Sequence, residues 1–438
     1  MIPSLRAAAL AICLPLPTFA AVEIQEVTSP GGITAWLVEE PSIPFVAIEL
    51  LFEGGGNLDL PGKRGATHLM TSLLEEGAGD LDARAFAEAM ETLATGFGFD
   101  TNNDTVTVSA EFLTENRAAS VELLRDAITS PRFDPNAVDR VRDQVLAVIS
   151  QHENDPSEIA SATKAALSFP DHPYGSVLDG TRDSVAALTV ADLQEAHRNA
   201  LTRDRVKVGV TGDISAAELG PLLDELLGGL PQSGGPDVTR ADYALSGGVT
   251  VVEFPSPQSV VRFGHEGIAF DDPDYFPAFI LNHILGGSGF NSRLIQEVRV
   301  KRGLTYGIGT GLAARDHAEQ ILGQFSASND KTAEAVEIIR AEWQRLATGG
   351  VTDEELETAK TFLTGAYPLR FDGNARIAGI LVGMQDLGLP IDYIATRNDR
   401  VMAVTQADIA RVAARLLDPE ALHFVVVGQP ENLETGAF

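Results

Sequence analysis

Residues 188–193 read LTVADL, and residues 404–409 read VTQADI, 216 positions later. In each copy a Thr precedes an Asp by three positions, which is the spacing of a capping box that begins a helix. The same offset relates Gly212, which follows the strand-like residues 206–210, to Gly428, which follows the strand-like residues 424–427. Two matches at one offset predict that the chain contains the same folding unit twice, and that each copy ends with a capped helix and a strand.

The hydropathy pattern around these segments predicts further elements in both halves. Strands are predicted at residues 32–38, 44–52 and 105–112, and at residues 249–254, 259–268 and 320–327. Helices are predicted at residues 64–76, 83–95, 115–130 and 135–151, and at residues 273–285, 292–301, 331–346 and 353–363. Strands that alternate with helix pairs, without regular βαβ units, are typical of an α+β fold with largely antiparallel sheets.

The length of 438 residues is that of a chain with two domains, because one domain usually has about 100–200 residues. Residues 228–236 read GGLPQSGGP, the densest Gly and Pro stretch of the sequence, which indicates a linker. We therefore expect an N-terminal domain at residues 21–227, a linker at residues 228–247 and a C-terminal domain at residues 248–438.

The first twenty residues have the pattern of a secretory signal peptide. Arg6 supplies a positive charge, residues 7–16 form an apolar stretch, and residues 18–20 (TFA) fit a cleavage site. Cys13, the only cysteine, lies inside this segment, so we expect a mature chain without disulfides or Cys-bound metal. No later run reaches the ~18 apolar residues of a transmembrane helix. We expect an exported protein that resides in the periplasm.

The charge balance excludes some classes of partner. Asp and Glu number 62 against 32 Lys and Arg, which gives a formal net charge of -30. Such a chain, without a Lys/Arg-rich run, is not expected to bind a nucleic-acid backbone or an anionic membrane surface. Its 44% of apolar residues also exceeds what an acidic disordered tail contains.

Four short motifs follow one another along the chain. Residues 54–57 read GGGN, residues 65–72 read GATHLMTS, residues 172–175 read HPYG and residues 297–306 read EVRVKRGLTY. In this order they resemble the pitrilysin/insulinase family of zinc metallopeptidases, which includes the mitochondrial processing peptidases. The resemblance covers the whole mature chain. It implies two duplicated metallopeptidase-like domains, each a mostly antiparallel sheet packed with helices.

Active members of that family carry H-x-x-E-H on a helix, where two His hold zinc and the Glu activates water. The resemblance matches only the first position, His68. Thr71 replaces the general-base Glu, Ser72 replaces the second His, and Val148 stands about 76 residues later, where the last carboxylate ligand is expected.

Zinc needs about three protein ligands, and no two of the eight His are spaced to share one helical turn. The metal position is therefore degenerate at His68, Ser72 and Val148. We interpret His68 as a leftover polar residue with no ligand partner nearby. The sequence predicts a chain without zinc and without a catalytic residue of its own.

Arg299 and Tyr306 match an Arg and a Tyr that, in the family, bind the peptide backbone and the developing oxyanion. The resemblance implies a non-catalytic subunit that pairs as a heterodimer with a homologous zinc-bearing H-x-x-E-H subunit. Zinc would then lie in the partner, and this chain would supply the two side chains to a peptide substrate in trans. Taken alone, an Arg seven residues before a Tyr is common by chance, and the spacing by itself favours two ordinary surface residues at a helix-to-strand junction.

A different class of function remains open. Relatives in respiratory complexes have this fold without peptidase chemistry, so the chain could be a non-enzymatic periplasmic homodimer that binds peptides or serves as a scaffold. Retention of Arg299 and Tyr306 favours the peptidase-subunit hypothesis.

Overall fold

The computed structural model describes residues 23–437. The predicted signal peptide at residues 1–20 lies outside the described residues. Within the described part of the chain, no helix is both long enough and apolar enough to cross a membrane.

The N-terminal half builds a six-stranded sheet and a small hairpin. Its strands are β1 (Gln25–Thr28), β2 (Thr34–Glu39), β3 (Phe45–Glu53), β4 (Gly77–Ala78), β5 (Leu81–Asp82), β6 (Gly96–Thr101), β7 (Thr105–Leu113) and β8 (Val206–Gly212). Its helices are α1 (Ala66–Thr71), α2 (Ala83–Leu93), α3 (Arg117–Thr129), α4 (Pro135–His152), α5 (Pro156–Ser168), α6 (Arg182–Ala187), α7 (Val190–Ala200) and α8 (Ala216–Leu227). The large sheet has the order β1-β2-β8-β3-β7-β6, and only the β2–β8 pairing is parallel.

The C-terminal half builds a five-stranded sheet. Its strands are β9 (Gly248–Glu253), β10 (Gln258–Glu266), β11 (Ile308–Ala314), β12 (Glu319–Ser328) and β13 (His423–Gly428). Its helices are α9 (Tyr275–Asn282), α10 (Thr332–Gly349), α11 (Asp353–Ala366), α12 (Asn374–Asp386), α13 (Tyr393–Ala403) and α14 (Gln406–Leu416). The sheet has the order β11-β12-β10-β13-β9, and only the β13–β9 pairing is parallel.

The two sheets have the same topology. Reading β9, β13, β10, β12 and β11 against β2, β8, β3, β7 and β6 pairs every strand with its counterpart in the same spatial order. In both sheets the single parallel pairing lies at the same place, between β2 and β8 in the first and between β9 and β13 in the second. The strands β8 and β13 are each the last strand of their half. The predicted α+β fold, built twice from largely antiparallel sheets, is confirmed.

The repeated capping boxes form as the sequence predicts. The backbone N–H of Thr189 donates to the Asp192 carboxylate at 2.8 Å, and the Asp192 N–H donates back to the Thr189 hydroxyl at 3.3 Å. Thr405 and Asp408 make the same pair of bonds at 3.0 and 3.2 Å. Each box satisfies backbone donors that the first turn of a helix would otherwise leave unpaired, so α7 and α14 begin at equivalent positions.

Each half has its own hydrophobic core, and one helix of each half packs against the sheet of the other half. Helix α12 packs on β3 and β8, while α5 packs on β10 and β13. The approach of α12 requires a glycine on β8, because a Cβ at Gly209 would lie 2.4 Å from the Ala378 carbonyl oxygen. Leu381, on the same helix, completes an apolar cluster with Trp36 and Tyr393. The exchange ties the two halves together through two buried contacts.

Two predicted helices that carry candidate site residues differ from those observed. The sequence predicts a helix over residues 64–76, but α1 ends at Thr71. The N–H groups of Leu73 and Leu74 bond three residues back, as in a 3₁₀ turn. The segment predicted at residues 292–301 forms a π-helical turn at Ile295–Val300. Both segments carry candidate site residues.

Candidate functional site

A tight turn places the start of α1 beside the loop that follows α5. The Asp59 carboxylate accepts hydrogen bonds from the N–H groups of Gly65 at 2.9 Å and Thr67 at 2.8 Å. Gly65 has φ +94°, and a Cβ there would lie 2.5 Å from the Asp179 carbonyl oxygen. Only glycine fits this left-handed position and close approach. His68, in the first turn of the helix, is thereby brought next to Asp179.

Of the positions that hold zinc or activate water in active members, only His68 keeps its side chain here. Thr71 is 2% exposed and its hydroxyl donates to the Thr67 carbonyl at 2.9 Å. The Ser72 hydroxyl donates to the His68 carbonyl at 3.0 Å, within the same helix. Val148 lies on α4 and is 41% exposed. Two hydroxyls that bond back to their own helix and one apolar side chain do not fit a zinc ion, which needs about three N, O or S donors.

His68 nevertheless has neighbours, which corrects the interpretation of an isolated leftover residue. Its Nδ1 lies 3.4 Å from one Asp179 carboxylate oxygen, and His152 Nδ1 lies 3.3 Å from the other. The Asp179 carboxylate thus separates the two imidazoles. The His68 contact falls short of hydrogen-bond geometry, so it is an ion pair only when the imidazole is protonated. The Asp179 carboxylate thus joins α1 to α4, and the arrangement is an ionic bridge when the imidazoles are protonated.

Sequence reasoning missed this bridge because its members are far apart along the chain. The available signal was helical spacing: His152 follows Val148 by four residues, so both lie on one face of α4. Nothing in the local sequence of Asp179 marks it as a partner.

A second titratable cluster lies where the two halves meet. Asp104 follows β6, and Asp316 and His317 form the turn between β11 and β12. One ligand atom from each lies within 4.8 Å of the others, so these three residues could hold a divalent cation. Asp104 also accepts hydrogen bonds from the Asn57 amide at 2.9 Å and from the Tyr174 hydroxyl.

Negative charge is concentrated at the domain seam, the junction of the two halves around Asp104 and Asp316. Partial burial, together with the carboxylates of Asp104, Asp386 and Glu53, raises the pKa of Asp316 to about 7, although more than a third of Asp316 is exposed. Burial and Glu53 likewise raise the pKa of Asp386 to about 6. Like charges that face one another across two domains favour protonation of one of them at neutral pH.

The segment around Arg299 carries positively charged side chains near the protein surface. Glu297 pairs with both Lys301 and Arg302. Arg299 pairs with no carboxylate of the described residues, and its guanidinium lies 4.9 Å from the centre of the Phe290 ring. Phe290 is itself 69% exposed. This cation–π contact holds the Arg299 side chain at the surface while leaving its N–H donors available.

The backbone at Tyr306 is positioned by the side chain of the preceding residue, Thr305. Thr305 is buried, and its hydroxyl bonds to the Ser326 carbonyl at 2.7 Å and interacts with the Gly307 backbone. Tyr306 itself is 87% exposed. The backbone of the segment is fixed while the phenol is presented to the outside.

Two family models match consecutive parts of the chain. Residues 35–182 match the insulinase model of peptidase family M16, and residues 187–363 match the model described as the peptidase M16 inactive domain. The chain belongs to peptidase family M16, the insulinase family. Together the two matches include strands of both sheets but leave out β1 and β13.

Several relatives show which branch this M16 protein resembles. It is 26% identical to the non-peptidase homolog YmxG of Helicobacter pylori over 90% of this chain and 91% of that protein. It is 23% identical to the mitochondrial-processing peptidase subunit beta of Blastocladiella emersonii, over 92% and 88%. The crystal structure of a peptidase M16 inactive domain from Pseudomonas fluorescens superimposes with a TM-score of 0.87 at 25% identity, over 95% of this chain and all of that one.

These likenesses and the replaced ligand positions agree. The chain is a non-catalytic member of the M16 family, similar to proteins described as inactive or as non-peptidases. Thr71, Ser72 and Val148 supply the chemical reason, because a His pair and a general-base carboxylate are missing where the family's chemistry needs them.

Proposed function

We propose that this chain is the zinc-less subunit of an M16 peptidase, and that it pairs with a zinc-bearing H-x-x-E-H homologue in the periplasm. The chain contributes Arg299 and Tyr306 to the partner's substrate site. The partner contributes the metal and the general base.

The observation that carries the proposal is the contrast in exposure between the two site regions. Tyr306 is 87% exposed on a segment whose backbone is anchored by buried Thr305. Arg299 is the cation of its run that no described carboxylate neutralises. A phenol and a guanidinium presented in this way have their donors free for a ligand outside the chain.

The chemistry suits a tetrahedral intermediate formed on a peptide bond. A phenolic O–H donates one hydrogen bond to an oxyanion, and a guanidinium offers fixed N–H donors to peptide carbonyls. These groups stabilise charge but cannot activate water. They are therefore useful only beside a metal centre that another chain supplies.

Reconstitution tests the proposal. The mature chain, an H-x-x-E-H homologue from the same organism and their mixture are assayed for cleavage of a fluorogenic peptide library and for assembly by size-exclusion chromatography. We expect a heterodimer with activity above that of either chain alone. A stable homodimer that neither binds the homologue nor changes its cleavage would support the scaffold alternative and defeat the proposal.

Export is tested separately. Fusion of residues 1–20 to a reporter that is active only outside the cytoplasm should give activity, and Arg6→Glu in the fusion should reduce it because the positive n-region is lost. Reporter activity that does not depend on residues 1–20 would contradict the periplasmic assignment.

A further inference from the structure

A cavity of about 560 Å³ lies between α5 of the N-terminal half and the C-terminal sheet. Its wall combines apolar and amide side chains with three cations: Ala165, Phe169, Leu322, Gln320, Gln324, Lys164, Arg262 and Arg315. Such a size and mixture are typical of pockets that bind a small ligand or a short peptide segment. The cavity is distinct from the Arg299 segment.

The strand pattern explains why the sheet exposes this face. Val261 and Phe263 of β10 lie in the C-terminal core, so Arg262 between them points to the opposite face, which α5 covers. On edge strand β11 two of the wall residues are Gly309 and Gly311. A Cβ built at Gly311 meets no atom within 4 Å. The cavity exists partly because β11 lacks side chains there.

Lys164 is a buried cation without a hydrogen-bond partner. The residue is 5% exposed, and its Nζ has no acceptor within reach. Its contact is with the Tyr243 ring, whose centre lies 6.0 Å away. Burial and the nearby Arg315 lower the pKa of Lys164 to about 8. Leaving an ammonium unpaired in this position costs free energy that an anionic ligand would recover.

The other two cations also lack a carboxylate. Arg262 donates to the hydroxyls of Ser161 at 3.0 Å and Ser157 at 2.7 Å and to the Gln324 amide oxygen. Arg315 stacks over the Tyr174 ring at 4.9 Å. Across residues 23–437, no carboxylate oxygen lies within 4.0 Å of the charged nitrogens of Lys164, Arg262 or Arg315. Glu158 and Asp155 act on Arg262 only from beyond ion-pair distance. In a chain of net charge -30, the cavity thus brings together three cations that have no carboxylate in direct contact.

We infer that this cavity binds a carboxylate of a peptide, with Lys164 and Arg315 facing the negative charge and the apolar wall receiving the adjacent residues. A peptide carboxylate can come from the C-terminus or from an acidic side chain. The choice of a peptide rests on the proposed function. The positive charge of the cavity does not, because it is a property of the lone chain.

The test is calorimetric titration of the lone chain with four probes. They are an N-acetylated tripeptide with a free C-terminal carboxylate, its C-terminal amide, the same amide with one internal Glu, and inorganic phosphate. We expect one of the two carboxylate-bearing peptides to bind at least tenfold more tightly than the plain amide, and its identity names the source. Equal binding of acid and amide forms, or binding of phosphate alone, would overturn the inference.

Variants separate a ligand site from a structural one. Lys164→Met should raise the Tm of the free chain, because an unpaired buried ammonium is removed, and should abolish the tenfold preference for the carboxylate. Gly311→Leu places a side chain in the open space and should weaken binding while Lys164 is retained. Lys63→Met removes a surface cation paired with Asp192 and should leave the preference unchanged. Full preference in both cavity variants would contradict the inference.

These results can be told apart from those on the proposed function. A chain that activates the zinc-bearing homologue but shows no preference for carboxylate retains its proposed function and loses this inference. A chain that prefers carboxylate in the lone state but never pairs with the homologue gives the reverse result.

Discussion

The two halves have the same strand order but treat their site residues in opposite ways. In the N-terminal half, Thr71 and Ser72 are turned back onto the carbonyls of their own helix. In the C-terminal half, Tyr306 is 87% exposed and Arg299 rests on an exposed phenyl ring. In one duplicated unit, the hydroxyls at the former catalytic and metal positions therefore bond to their own helix. In the other unit, the hydrogen-bond donors of Arg299 and Tyr306 remain available at the surface. On the proposed function, this difference means that a chain can lose its metal ligands and still keep the side chains that contact substrate.

The largest effect should come from the exposed side of this comparison. Tyr306→Phe or Arg299→Ala should lower the kcat of the reconstituted complex by about 100-fold, since one oxyanion donor is typically worth ~3 kcal/mol. The measurement is steady-state cleavage at equal concentrations of complex. Arg84→Ala, which removes an 87% exposed guanidinium of a surface pair, is the matched control and should leave kcat unchanged. Loss of assembly with the loss of activity would assign a docking role instead.

The ionic bridge in the N-terminal half should matter to stability and not to turnover. Asp179→Asn removes the charge between His68 and His152 and should lower the free energy of unfolding by about 1 kcal/mol, because the bridge is partly exposed. Chemical denaturation at pH 6 checks this. An equally large effect on kcat of the complex would mean that the region still takes part in the reaction.

The domain seam should show a smaller, pH-dependent effect. Asp316 has its pKa raised to about 7 from 3.8, so the folded state favours the protonated carboxyl. Stability from this group is therefore fully present below pH 3.8 and lost as the pH rises through about 7. Asp316→Asn should raise the Tm at pH 8 and leave it unchanged at pH 4. The gain in the free energy of unfolding at pH 8 should be less than ~1 kcal/mol, because water screens the exposed side chain. Equal shifts at both pH values would contradict this.

The smallest effect is expected at the replaced catalytic positions. Thr71→Val and Ser72→Ala remove hydroxyls that bond only to carbonyls of α1 in the described structure. We expect less than a twofold change in the kcat of the complex. A large loss would show that these hydroxyls act on substrate, and the two halves would then not differ as described.

Much of the fold could be predicted because its signals are local. The capping boxes at Thr189 and Thr405 and the alternation along β7 depend on residues close together in sequence. The exchanged helices α5 and α12 were not predicted, since each has its packing surface in the other half of the chain.

The candidate site divides in the same way. A motif at fixed spacing located Thr71, Ser72, Arg299 and Tyr306, but their exposure could not be read from it. The bridge of Asp179 to His68 and His152, and the cation cavity around Lys164, arise only when distant segments meet. The π-helical turn at Ile295–Val300 also has no distinct periodicity in sequence, because it differs from an α-helix by one hydrogen-bond step.

The most direct test of the central claim is a titration of the zinc-bearing homologue with this chain, in which cleavage rate and bound zinc are measured at each ratio. We predict no cleavage and no stoichiometric zinc for this chain alone, and a rate that rises to a plateau at one chain per homologue while zinc stays at one ion per pair. Stoichiometric zinc with peptide cleavage by the lone chain would contradict the account.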